Sequence, residues 1–164
     1  MVCKGFQVYC NHPVLDDLMF RNIAALAPGT KFDPENVERH FCLDDMSYEC
    51  STHIEGACLH GNSEVDSVYS DHGTYPLVKT SAINEYATMP AMGRIKIKIQ
   101  SMRPVEVKND SGVTVHDVLK ALVKFFSTGS HRDNMGDYTG WTGFDRQLVD
   151  KNGVLVLLSD YFDS

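Results

Sequence analysis

Apolar and polar residues alternate without error over residues 94–100. Ile95, Ile97 and Ile99 take one face, and Arg94, Lys96, Lys98 and Gln100 take the other. That period of two predicts a strand. Pro104-Val105-Glu106-Val107-Lys108 repeats it after a short break and predicts a second strand. Near Thr114 the period changes to that of a helix, because Val118, Leu119, Leu122, Val123 and Phe126 fall on one stripe. Thr114 with Asp117 three residues on is a variant of the capping box, and residues 127–129 end the helix. Residues 144–149 and 154–158 then flank Asp150-Lys151-Asn152-Gly153, which predicts a hairpin closed by an Asn-Gly-type turn. Residues 154–158 are all apolar, which suits a central strand covered on both faces.

Upstream the signals are local. His12-Pro13-Val14-Leu15-Asp16-Asp17 places Pro and two acids in a first helical turn, and Leu15, Leu18, Met19, Ile23 and Leu26 continue an apolar stripe as far as Pro28-Gly29. Asp33-Pro34-Glu35-Asn36 is a second start signal and predicts a short helix to about Phe41. Residues 42–74 have little periodicity and read as loop with one short strand. The predicted fold class is α+β: an antiparallel sheet in a β-β-α-β-β core with a helix packed on one face, preceded by an N-terminal helical extension. Residues 1–74 form the helical, irregular, Cys/His-rich part and residues 75–164 the core, together one compact domain.

Composition narrows the function classes. No run approaches the roughly 18 to 20 apolar residues of a membrane span, and Met1-Val2-Cys3-Lys4-Gly5 leads into no secretory apolar run. The expected setting is therefore cytoplasmic and the chain soluble. Five cysteines, Cys3, Cys10, Cys42, Cys50 and Cys58, are then free thiols or metal ligands rather than a paired disulfide framework. Residues 1–73 hold twelve acids against four Lys/Arg, a balance of −8; residues 74–164 hold ten against eleven, a balance of +1. An acidic half repels phosphate backbones, so no nucleic-acid partner is expected. It serves solubility, or it attracts a protein partner with a basic surface.

Ala87-Thr88-Met89-Pro90 ahead of the first strand, followed by Gly112-Val113-Thr114-Val115-x-Asp117-Val118-Leu119 at the helix start, resembles a family of uncharacterised domains found in basidiomycete fungi. The resemblance covers about residues 75–160 and, weakly, His12-Pro13-Val14-Leu15. That family carries no assigned activity, so the resemblance implies a fold and no catalytic residue. The chain departs from it at the Cys/His-rich residues 42–60.

Two stretches could carry chemistry. Cys50-x-x-His53-x-x-x-x-Cys58-x-His60 offers thiolate and imidazole, the ligands zinc prefers, at a spacing that fits no standard finger. The alternative is buried thiols and solvent-facing histidines. Residues 127–143 are long for a connector and gather His131, Arg132, Asp133, Tyr138 and the only tryptophan, Trp141, a mixture suited to a polar ligand or partner surface. Otherwise Trp141 anchors the loop on the core. Cys10 lies two residues from His12, and Ser70-Asp71-His72 are contiguous, but neighbouring residues rarely form a working triad, and His116 beside Asp117 in the first helical turn reads as a surface residue rather than a proton-transfer group. Arg94, Lys96, Lys98, Arg103 and Lys108 form a basic stripe that alternation alone produces. The sequence thus reads as a binding or protein-interaction domain rather than an enzyme. A zinc-dependent hydrolase using the Cys/His segment is the alternative, and otherwise no cofactor is expected.

Overall fold

A computed structural model describes residues 25–27, 29–43, 46–49, 57–60, 74–76, 80–128, 140–141, 143–159 and 162–163; over 46–49, 57–60, 74–76, 140–141 and 162–163 it describes the backbone alone. In chain order the elements are β1 (Glu38–Arg39), β2 (Met46–Glu49), β3 (Ala57–His60), β4 (Thr74–Pro76), β5 (Thr88–Met89), β6 (Arg94–Ile99), β7 (Val105–Lys108), α1 (Val115–Phe126), β8 (Gly140–Trp141), β9 (Arg146–Val149), β10 (Leu155–Ser159) and β11 (Phe162–Asp163). The chain is α+β, with β1 and β5 as a two-stranded ribbon, a four-stranded sheet β7-β6-β10-β9 and a five-stranded sheet β11-β8-β2-β3-β4.

Helix α1 forms where its caps and its stripe agree. Thr114 Oγ1 accepts from the Asp117 N–H at 3.2 Å, and Asp117 Oδ2 accepts from the Thr114 N–H at 3.0 Å. Burial alone would raise the Asp117 pKa, but donors from Asn109 and Thr114 outweigh it and hold the carboxyl below its usual range. Val115, Val118, Leu119, Leu122, Phe125 and Phe126 are buried along the helix. They share one core cluster with Ile95, Ile97 and Ile99 of β6, Val107 of β7, and Leu155 and Leu157 of β10.

The expectation of an all-antiparallel sheet is corrected. β7 pairs antiparallel with β6, and β9 with β10, but β10 runs parallel to β6, with Leu155 opposite Ile95 and Leu157 opposite Ile97. The cause is the apolar character of β10, in which Leu155, Val156 and Leu157 are all buried. Such a strand takes the central place, and the direction of its hairpin then makes it parallel to β6.

The expected helix from Pro34 to Phe41 is a 3-10 turn of three residues, Pro34–Asn36, capped by Asp33 as anticipated. It stops at Val37, whose extended backbone leads into β1. There Glu38 and Arg39 pair with Met89 and Thr88 of β5. Leu26 lies in an isolated bridge to Met92, not in a helix, and the helical extension predicted from His12 lies outside the described residues. Among the described residues, 42–74 hold two strands, β2 and β3, and the start of a third, β4, where a loop with one short strand is expected from the sequence. Among the described residues no helix is long and apolar enough to cross a membrane.

Candidate functional site: a groove between β1 and β9

Two runs far apart in sequence line an open groove of about 420 Å³: Val37, Glu38 and Arg39 from one side, and Asp145, Arg146 and Gln147 from the other. The first wall is fixed from below by His40. Its ring Nδ1 accepts from the Cys42 N–H at 3.2 Å, which leaves Nε2–H to donate to Glu85 Oε2 at 2.9 Å. His40, Cys42 and Glu85 are all buried, so this contact ties residues 40–42 to the 3-10 turn Ser81–Asn84 from inside the core. The second wall is fixed by buried Phe144, whose N–H donates to Leu43 O at 3.1 Å, and by the pairing of β9 with β10.

Gln147 joins the walls. Its Nε2 donates to both Pro34 O and Val37 O at 2.6 Å. A flipped amide would aim an oxygen at two carbonyl oxygens, so the hydrogen bonds set which way the group lies. Gln147 Oε1 is left buried without a donor, and so is Asp145 Oδ1. The other carboxylate oxygen of Asp145 accepts from Arg146 Nε at 3.1 Å. A buried acceptor with no donor costs about 1 to 3 kcal/mol. Both atoms are closed off from solvent, so they carry a folding cost and are out of reach of a molecule in the groove.

The two large apolar side chains exposed among the described residues belong to these same runs. Phe41 is 54% exposed and stacks on His40, and Leu148 is 42% exposed on β9 beside Gln147. The groove itself is lined by charges of both signs, from Glu38, Arg39, Asp145 and Arg146, and the two exposed apolar side chains stand next to its lining rather than in it.

The residues singled out from the sequence fall elsewhere. Trp141 lies in β8, where its backbone pairs with Tyr48 of β2 and Phe162 of β11, while His131, Arg132, Asp133 and Tyr138 lie outside the described residues. Asp145 stands four residues beyond Trp141, so the loop leads directly into the second wall. Cys58 and His60 occupy alternate positions on β3, opposite Pro76 and Thr74 of β4, and Cys50 and His53 lie outside the described residues. Among the described residues no three or more His, Cys, Asp or Glu come together as a metal site. The basic stripe is largely paired. Arg94 and Lys108 bind Glu106, whose pKa is lowered chiefly by Arg94, and Lys96 binds Asp150. Sequence reasoning missed the groove because nothing local links Val37 to Gln147.

Fold and groove together define an α+β domain with a polar cleft. The chain belongs to the Family of unknown function (DUF6699), whose model matches residues 49–152, more than half of the chain. The match takes in the second wall of the groove, the loop before it and the Cys/His segment, and leaves out the first wall. Neither the curated proteins nor the solved structures contain a match to the chain.

Proposed function

We propose that this chain is a protein-interaction domain and that its partner meets the groove between β1 and β9 together with the loop that ends at Trp141. The observation that carries this reading is the exposure of two large apolar side chains, Phe41 and Leu148, next to a groove lined by charges of both signs. A net charge of −7 favours a partner with a basic surface. In this reading residues 75–164 form a β-β-α-β-β core, residues 1–74 complete one domain with a helix from His12, and the protein acts in the cytoplasm of a basidiomycete fungus. The cysteine usage and the resemblance of residues 87–90 and 112–119 support that setting.

The test compares wild type with a Phe41→Ala/Leu148→Ala double variant. A partner captured by wild type is purified and titrated calorimetrically against both, after thermal melts establish that the variant is folded. The expected result is at least a tenfold loss of affinity, about 1.4 kcal/mol. Equal affinity would move the interface away from the groove. A zinc-dependent reading keeps one observation in its favour, the alternate placement of Cys58 and His60 on one strand.

A further inference from the structure

The four-stranded sheet ends differently at its two edges. Beside β9 stands the 3-10 turn Pro34–Asn36, and the Gln147 side chain ties the two together by donating Nε2–H to Pro34 O and Val37 O. The β7 edge is bare: no hydrogen bond is made to its backbone from the side away from β6 among the described residues. The Asn109 N–H donates to Gly93 O at 3.0 Å, and Val107 and Val105 lie opposite Ile95 and Ile97. Antiparallel pairs alternate, so Val105 and Val107 turn their backbone groups toward β6 while Glu106 and Lys108 turn theirs outward.

We propose that β7 is a self-association edge, on which a second copy of this chain pairs antiparallel about Val107. In that register Glu106 faces Lys108 of the second copy, Lys108 faces Glu106 of the second copy, and Val107 faces its own counterpart. Both Glu–Lys positions are hydrogen-bonded pairs, each exchanging two N–H···O bonds, and the two sheets become continuous. A two-fold dimer joined edge to edge must be antiparallel. Neighbouring registers fail on charge. Centring on Glu106 sets Glu against Glu, and centring on Lys108 sets Lys against Lys and Glu106 against Asp110. Charges on an edge ordinarily repel a second strand; here the alternation meets its opposite. Pro104 stands at the next outward position and has no N–H, so the ladder is short and the dimer reversible.

Sedimentation equilibrium on the full chain tests this. Lys108→Glu and Glu106→Lys each leave one sign at both outward positions, and both residues are surface-exposed, so folding is preserved and checked by thermal melts. Wild type should dimerise reversibly, each variant alone should dimerise at least tenfold more weakly, and an equimolar mixture of the two should recover the wild-type dimer as a heterodimer. A wild type that stays monomeric to about 1 mM, or variants that dimerise like wild type, or a mixture that fails to recover, overturns the proposal.

Discussion

Gly112→Ala should be among the most damaging single-methyl additions in this chain. Gly112 opens the helix-start motif at φ +111, where side chains are rarely tolerated, and an added Cβ would lie 2.6 Å from Tyr86 Cε1, 2.8 Å from Tyr86 Cδ1 and 3.3 Å from Ala91 Cβ. Neither neighbour retreats freely. Ala91 is fully buried, and Tyr86 is held by its backbone bridge to Thr114. The backbone around Gly112 is pinned as well, through Gly112 N–H to Asn109 O and Val113 N–H to Met92 O, both at 2.8 Å. Backbone strain of about 1 to 3 kcal/mol and overpacking of about 1 to 3 give a loss of about 2 to 6, against a total stability of about 5 to 15. Gly153 is the control. Its φ is +74 and its Cβ would meet open space, so Gly153→Ala carries only the backbone cost of about 1 to 2 kcal/mol. Urea unfolding reads both losses as shifts in midpoint at unchanged slope. Tyr86→Ala in the Gly112→Ala background should recover about 1 to 3 kcal/mol of coupling. The reasoning fails if Gly112→Ala costs no more than Gly153→Ala, or if Tyr86→Ala and Gly112→Ala simply add.

Leu119, fully buried on α1, should cost about 2 to 5 kcal/mol as Leu119→Ala, and Thr114→Ala about 1 through its cap; equal losses would misplace the apolar face. Asp150 is held at a pKa of about 2, below the ordinary 3.8, first by Lys96 and then by the Val154 and Asn152 N–H groups. Its stabilisation is therefore complete above pH 3.8 and lost as pH falls toward 2, and Asp150→Asn should flatten the stability curve in that window, measured by urea titration at each pH. Ser or Ala changes at Cys50, His53, Cys58 and His60 should be mild and independent, with a metal-free native mass; stoichiometric zinc lost equally in all four variants would instead establish a shared site. Trp141 is the only tryptophan, so blue-shifted, iodide-resistant emission and a loss of about 3 to 5 kcal/mol in Trp141→Ala are expected for a core anchor, whereas red-shifted emission that changes with a partner places the ring in the interface.

What was legible in the sequence was whatever repeats locally. β6, β7 and α1 announce themselves because alternation over six residues, and a stripe over twelve, are imposed by one neighbouring core. β10 was legible as a central strand from its unbroken apolar run, but its direction was not, because pairing sense depends on which strand of a hairpin faces inward. β1, β5, β8 and β11 are two residues long, too short to carry any period, and they exist because distant backbone meets them. The start signal at Asp33-Pro34 was read correctly, yet the helix it promised stops after one 3-10 turn, since Glu38 and Arg39 gain a ladder with β5.

The site was illegible for a related reason, and charge shows it best. Read along the chain, residues 94–108 are a cationic face that could attract acids. In space Glu106 and Asp150 pair with three of those cations, so the face loses most of its sign. At the groove, Gln147 gives both amide hydrogens to carbonyls more than a hundred positions away, a contact that no local pattern announces. Under the proposed reading, the net charge of −7 selects a partner rich in positive charge. A partner selected by it should bind more weakly as salt rises, which separates it from a partner held by Phe41 and Leu148 alone.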